Sequence, residues 1–234
     1  MSVVGPALAV LHETLSSLEL VVWGEVALAQ LGAPTTVNSI MIIPTAGQFD
    51  LAARMLVDAG CRTAPWSYGT LDPRLIEACN NPAIQRIHAS VAQQYYMLDL
   101  NSLRFEFSSP ELRALKLLLI RAHYVDLAPP KHLGDIAGGQ FTRVRNFYYP
   151  GKLVLLKSFI AALLNNKAAA ATATTWDIVL ETWAVSYLCG YLDVGVDAFD
   201  SCPDNSIKDW YNHAIIRDRG GLDRSITKRT GRLG

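Results

Sequence analysis

Charge is scarce in this sequence. Only 18% of its 234 residues are Asp, Glu, Lys or Arg, and the 21 acidic and 21 basic side chains cancel. A zero net charge removes the basic excess by which nucleic-acid binders release counterions from phosphates, so no nucleic-acid partner is expected. The last eighteen residues are the exception, with Arg217, Arg219, Arg224, Lys228, Arg229 and Arg232 against Asp218 and Asp223. Interspersed glycines make 217–234 read as a solvated basic tail after a domain covering 1–216. Long apolar runs are missing too: the longest, Leu153 to Leu164, is broken by Lys157 and Ser158 and is too short to span a bilayer, so no membrane partner is expected. Cysteine is sparse, and Cys61, Cys79, Cys189 and Cys202 match neither a zinc pair nor a redox pair, which leaves them as buried thiols. The histidines His12, His88, His123, His132 and His213 have no metal-ligand spacing. No serine sits in a nucleophile elbow, and no stretch rich in proline, serine or charge divides the chain. The opening Met-Ser-Val-Val-Gly-Pro places no basic residue before its apolar stretch, so the cytosol is the expected compartment.

What is present is apolar patterning, with half the residues hydrophobic. Val4, Leu8, Leu11, Leu15 and Leu18 keep helical spacing from a cap at Ser2 to about Glu19. A strand Leu20 to Trp23 follows, then Gly24, a short helix through Leu31 closed by Gly32, and an extended run from Val37 to Ile43 stopped by Pro44. Gln48 to Ala59 is helical, with Leu51, Ala52, Met55 and Leu56 inward and Gly60 closing it. Pro73–Asn80 and Pro82–Ser90 read as short helices, and Tyr95–Leu100 with Leu103–Phe107 as two strands around Asn101-Ser102. Leu115–Ile120 reads as a buried strand prolonged by Tyr124-Val125, a glycine-rich loop spans 134–139, and Thr142–Tyr149 is a strand. Pro150 opens a helix through Leu164, and Trp176–Leu192 and Ile207–Arg217 complete a helical C-terminal half. The class expected is α+β: a mixed sheet flanked by helices.

One constellation carries a family resemblance. Trp23-Gly24-Glu25 forms a strand-to-helix turn, Val26 to Val37 is an interval of twelve, and Asn38-Ser39-Ile40 opens the next strand. With Ala27-Leu28, Gly32-Ala33-Pro34-Thr35-Thr36 and Ile42-Ile43-Pro44 around it, the segment from about 18 to 62 resembles nucleotidyltransferases of the polymerase-β type. Further on, only the strand, proline and helix at Tyr148 to Leu164 resemble that family, with Lys157 matching a lysine of its helix. In that family, alternate acids on one strand hold two divalent ions. Here Asn38 is neutral and Ile40 cannot ligate. Glu106 or Asp99 could match the family's third carboxylate, but one acid cannot replace three around a hard cation. Glu25 stands where a small residue would admit a triphosphate. Metal-dependent transfer is therefore disfavoured, and no metal or cofactor is expected.

The chain also resembles a group of fungal proteins with a degenerate transferase-like core, some of natural-product pathways. That resemblance implies a cofactor-free cyclase or isomerase, for example a Diels-Alder cycloaddition. Such a reaction needs only a folded substrate in a shaped apolar site and a hydrogen bond to an activating carbonyl. The expected partner is then a small apolar molecule, a terpenoid or polyketide. Glu25, Asn38, Glu106 and His123 are the candidate catalytic residues, His123 because it follows a buried strand beside Tyr124. Trp23, Trp66, Tyr68, Tyr124 and Lys157 are the candidate substrate contacts, amid aromatics that could line a pocket. The alternative is a non-catalytic pseudo-enzyme that binds a ligand in the old cleft.

Overall fold

Side-chain alternation along seven strands organises the molecule. The computed structural model describes residues 4–70, 81–130, 136, 138–170 and 172–215. The strands are β1 (Leu20–Trp23), β2 (Ser39–Pro44), β3 (Arg62–Thr63), β4 (Ser102–Glu106), β5 (Lys116–Ile120), β6 (Phe141–Val144) and β7 (Phe147–Pro150). They form one sheet in the order β3-β4-β5-β2-β1-β7-β6. β1 runs antiparallel to β2 and parallel to β7, and β2 is parallel to β5, so the sheet is mixed. Helices on both faces complete a mixed α and β architecture, as the α+β expectation requires.

Successive strand residues point to opposite faces. Leu20, Val22, Ile40, Ile42, Leu117 and Leu119 pack on one face against Leu11 of α1 (Val4–Thr14) and Phe49, Ala52 and Leu56 of α3 (Phe49–Asp58). Their neighbours Val21, Trp23, Met41, Ile43, Leu118 and Ile120 pack on the other. There they meet α7 (Lys152–Ala169), α8 (Thr175–Glu181), the π-helix Thr182–Tyr191 that continues it, and α9 (Asn205–Ile215). Each fully buried Leu, Ile or Phe contributes roughly 1.5–3 kcal/mol by leaving water, which makes this two-sided burial the main stabilising term. Local chemistry sets the ends. Thr174 and Asp177 form a reciprocal capping box that starts α8, and Gly60 at φ 90° closes α3.

Several expectations are corrected. Tyr95–Leu100 is not a strand but α5 (Tyr96–Leu100), which follows α4 (Pro82–Gln93); adjacent Met97 and Leu98 are both buried, as one side of a helix allows and alternation does not. Tyr124 and Val125, also adjacent and buried, belong to the one-turn helix α6 (Ala122–Val125), closed by Asp126 at φ 46°. The strand Thr142–Tyr149 is a hairpin, β6 and β7, turning at Arg145-Asn146. Pro150 ends β7, and Gly151 precedes α7. The first helix stops at Thr14 rather than near Glu19, the extended run begins at Ser39, and Leu51 points outward, Phe49 taking its place in the core. Pro73–Asn80, most of the 134–139 loop, Cys79, His132 and the basic tail lie outside the described residues. Among the described residues, no helix is long and apolar enough to cross a membrane.

Candidate functional site

The turn after β1 is built around Gly24. Its φ of 67° suits glycine, and a Cβ there would stand 2.9 Å from Met41 Sδ and 3.3 Å from the Trp183 ring. The indole of Trp183 thus occupies the space over the turn. Glu25, the first residue of α2 (Glu25–Gln30), is buried, and its Oε2 accepts from the Asn38 N–H at 2.7 Å, the Ser39 N–H at 2.9 Å and Ser39 Oγ at 3.1 Å. The carboxylate ties the start of α2 to the start of β2 through charge-assisted bonds. Since Ser39 donates to Glu25, the Tyr68 hydroxyl 3.4 Å away is the donor to Ser39 Oγ.

This clip leaves Asn38 and Ile40, the two positions that match the family's acids, in different surroundings. Asn38 is exposed and enters the network only through its backbone, donating to Glu25 and accepting from the Lys116 N–H at 3.2 Å. Ile40, in register with Leu117, is fully buried in the face covered by α1 and α3. Ser39, between them, is the residue turned toward Glu25 and Tyr68. Glu106 lies on β4 with Arg62 of the edge strand 3.8 Å away, a surface pair worth under about 1 kcal/mol. His123 is exposed on α6, a one-turn helix that begins after β5 has ended, rather than at the end of a buried strand. Lys157 pairs with Asp126 at 3.0 Å in solvent.

Two of the expected substrate contacts belong to the core. Trp23 is fully buried and donates from Nε1 to Ser158 Oγ at 2.8 Å. The Tyr124 hydroxyl accepts from Trp176 Nε1 at 2.8 Å and donates to Asn166 Oδ1 at 2.9 Å, and Asn166 Nδ2 donates to Asp177 at 2.6 Å. The rings of Trp23, Phe159, Trp176 and Trp183 meet one another at 5.3–6.2 Å between centroids, so they fill the volume a pocket would need.

The Tyr68 ring packs against Tyr95 and Trp176, while Trp66 stands at the margin of this packing, where a cleft of about 230 Å³ opens between the 63–67 segment, Asp99 and residues 102–104 of β4. Its walls are tied by polar bonds: the Tyr68 N–H donates to Asp99 Oδ1 at 2.8 Å, Arg104 Nη1 to the Ser67 carbonyl at 2.7 Å, and Lys116 Nζ to the Tyr68 carbonyl at 2.5 Å. The Lys116 ammonium also lies 4.5 Å from the centre of the Tyr68 ring. Burial perturbs every member. It pushes the Asp99 carboxyl up, against the Ser67 and Tyr68 hydrogen bonds and the Arg104 and Lys116 charges that pull it down. Burial, aided by Glu25, also raises the Tyr68 hydroxyl. Desolvation and then the charge of Arg104 bring Lys116 down to about 8, and desolvation lowers Arg104. Arg104 Nε is buried without a hydrogen-bond partner.

Arg104, Lys116 and Ser39 went unselected in the sequence, and Asp99 entered only as a third metal ligand. A signal exists in the alternation Leu103-Arg104-Phe105 and in the one charge interrupting Leu115–Ile120, both marking a polar side of an otherwise apolar strand. Among the described residues, no three His, Cys, Asp or Glu side chains converge as a metal site. Comparison with known proteins finds no family model, no curated protein and no solved structure that matches this chain.

Proposed function

We propose that the chain binds a small organic molecule in the cleft between Trp66 and β4, on a nucleotidyltransferase-like fold whose phosphate and metal positions have been taken over by packing. Three features support the loss of transfer chemistry. Trp183 lies over the Gly24 turn, the Glu25 carboxylate is engaged by three donors, and Ile40 belongs to the core. The observation that carries the binding reading is the meeting, in one cleft, of the half-buried Trp66 indole, Asp99, and an Arg104 with a buried, unpaired Nε. An orphan donor of this kind costs roughly 1–3 kcal/mol, which a ligand oxygen reached by a small shift of the guanidinium offsets. The ligand class that fits is an apolar body bearing a carbonyl or carboxyl oxygen, which includes the terpenoid and polyketide acids implied by the sequence resemblance.

A second reading, a metal-free cyclase or isomerase using the same cleft, draws on Lys116 and Asp99. Burial pushes the Asp99 carboxyl up and brings the Lys116 ammonium down to about 8, the directions in which each gives up its charge and can take part in proton transfer. Thermal unfolding in the presence of terpenoid and polyketide acids, and separately of nucleotides with Mg²⁺, tests the proposal. A ligand at a hundred times its Kd stabilises by about 2.7 kcal/mol. The expected outcome is stabilisation by an organic acid, lost in Trp66→Ala. Stabilisation by a Mg²⁺-nucleotide alone overturns it, and conversion of the bound acid to a new product favours the second reading.

A further inference from the structure

A second recess, about 520 Å³ and open to solvent, is lined by His12, Glu13 and Ser16 at the end of α1 and by Arg143, Arg145 and Asn146 of the β6–β7 hairpin. Its chemistry starts at Asn146. This buried amide donates from Nδ2 to the Leu15 carbonyl at 2.8 Å and the Leu18 carbonyl at 3.1 Å. Those two bonds fix Oδ1 as the atom facing His12 Nδ1 at 2.9 Å, so Nδ1 carries the hydrogen and Nε2 is the open nitrogen of the ring. His12 is only 8% exposed and lies against Phe147, 4.1 Å between ring centres, which holds the imidazole in place.

The hairpin supplies the charge. Arg143 Nε donates to the Arg145 carbonyl at 2.8 Å, and its guanidinium is held by Glu19 at 3.4 Å and by the Tyr148 ring. Arg145 makes none of the ion pairs among the described residues. It also occupies the first position of the two-residue turn at φ 55°, a left-handed conformation that glycine or asparagine takes at less cost. A strained arginine held without a carboxylate partner, beside a fixed imidazole, is a reason to look for a ligand.

We propose that this recess binds a phosphomonoester. Arg145 contacts the phosphate directly, with His12 Nε2 as the second contact and Arg143 held behind Arg145 by its bond to the turn carbonyl. Glu13 lines the same rim, which selects an ester that carries an ammonium group next to the phosphate over inorganic phosphate. The ligand class is therefore a small phosphorylated amino alcohol, and the site is separate from the Trp66 cleft.

Calorimetric titration of the full chain with O-phosphoethanolamine and with inorganic phosphate, at matched ionic strength, tests this. O-phosphoethanolamine is expected to bind several-fold more tightly, a preference that Glu13→Gln abolishes. Arg145→Gly is expected to weaken binding at least tenfold, while its melting temperature stays equal or rises because the turn strain is relieved. Trp66→Ala should leave this binding unchanged, which separates the result from the fate of the other cleft. Failure of O-phosphoethanolamine to bind the parent, or equal affinity in Arg145→Gly, overturns the proposal. Equal affinity for inorganic phosphate overturns the role of Glu13.

Discussion

The two faces of the sheet obey the same alternation and are held by different physics. Against α1 and α3 the strands present aliphatic side chains, Val22, Ile40, Ile42, Leu117 and Leu119, whose burial is non-directional. Against α7, α8 and the π-helix they present Trp23 and Met41 to a set of rings joined by hydrogen bonds, Trp23 to Ser158 and Trp176 through Tyr124 to Asn166. Each such bond nets only about 1 kcal/mol but costs about 1–3 kcal/mol if left unmade, so this face specifies geometry rather than bulk stability. The difference explains where the cleft lies. A directional network ends at definite groups, and at its margin Asp99 and Arg104 are partly desolvated and line a concavity, with Tyr68 bonded to Asp99 and Lys116 to Tyr68.

Ile40→Asp breaks the comparison most sharply. It restores an acid where the transferase pattern has one, but inside the aliphatic face, where an uncompensated carboxylate destabilises by roughly 3–5 kcal/mol. Urea denaturation should show that loss, and calorimetry should show no tight Mg²⁺ site. A stable, Mg²⁺-binding Ile40→Asp protein would mean that the face is open rather than packed.

Lys116 offers a smaller and more specific effect. Its proton affinity in the folded chain, about 8, lies below its ordinary 10.5, so the unfolded chain holds this proton over a range where the folded chain has released it. The unfolded state binds more protons there, and the contribution to stability rises with pH from about 8 to 10.5. Below that window the full cost of burying the ammonium is present. Lys116→Met removes the dependence, so the difference in stability between parent and variant should be flat below pH 8 and then move in favour of the parent up to about pH 10.5. Paired denaturation curves across pH check this; a difference that stays flat would place Lys116 in solvent.

Much of the frame was legible because it is local. Short apolar runs bounded by turn residues marked β1, β2 and β5, alternation marked β4, and the glycines at 24, 32 and 60 marked turns with positive φ. Errors came where β-prone residue types are packed as helix turns, as at Tyr124-Val125, whose burial side by side is set by Asn166 and Trp176 more than forty residues away. The site was less legible for the same reason. Glu25 was visible as a charge in a turn, but its partners at Asn38 and Ser39 are brought to it by the return of β2. The cover over Gly24 is Trp183, placed by a π-helix for which no sequence signal was read. Of the aromatics expected to line a pocket, Trp66 does line the cleft, whereas Trp23 and Tyr124 are core and Tyr68 packs against Tyr95 and Trp176.

The most direct measurement follows the indole N–H signals of Trp23, Trp66, Trp176, Trp183 and Trp210 by heteronuclear NMR while a terpenoid or polyketide acid is titrated in. The account predicts that the Trp66 signal moves with occupancy while those of Trp23, Trp176 and Trp183, closed on one another in the core, hold still. Movement of the three core signals with Trp66 unaffected would contradict it.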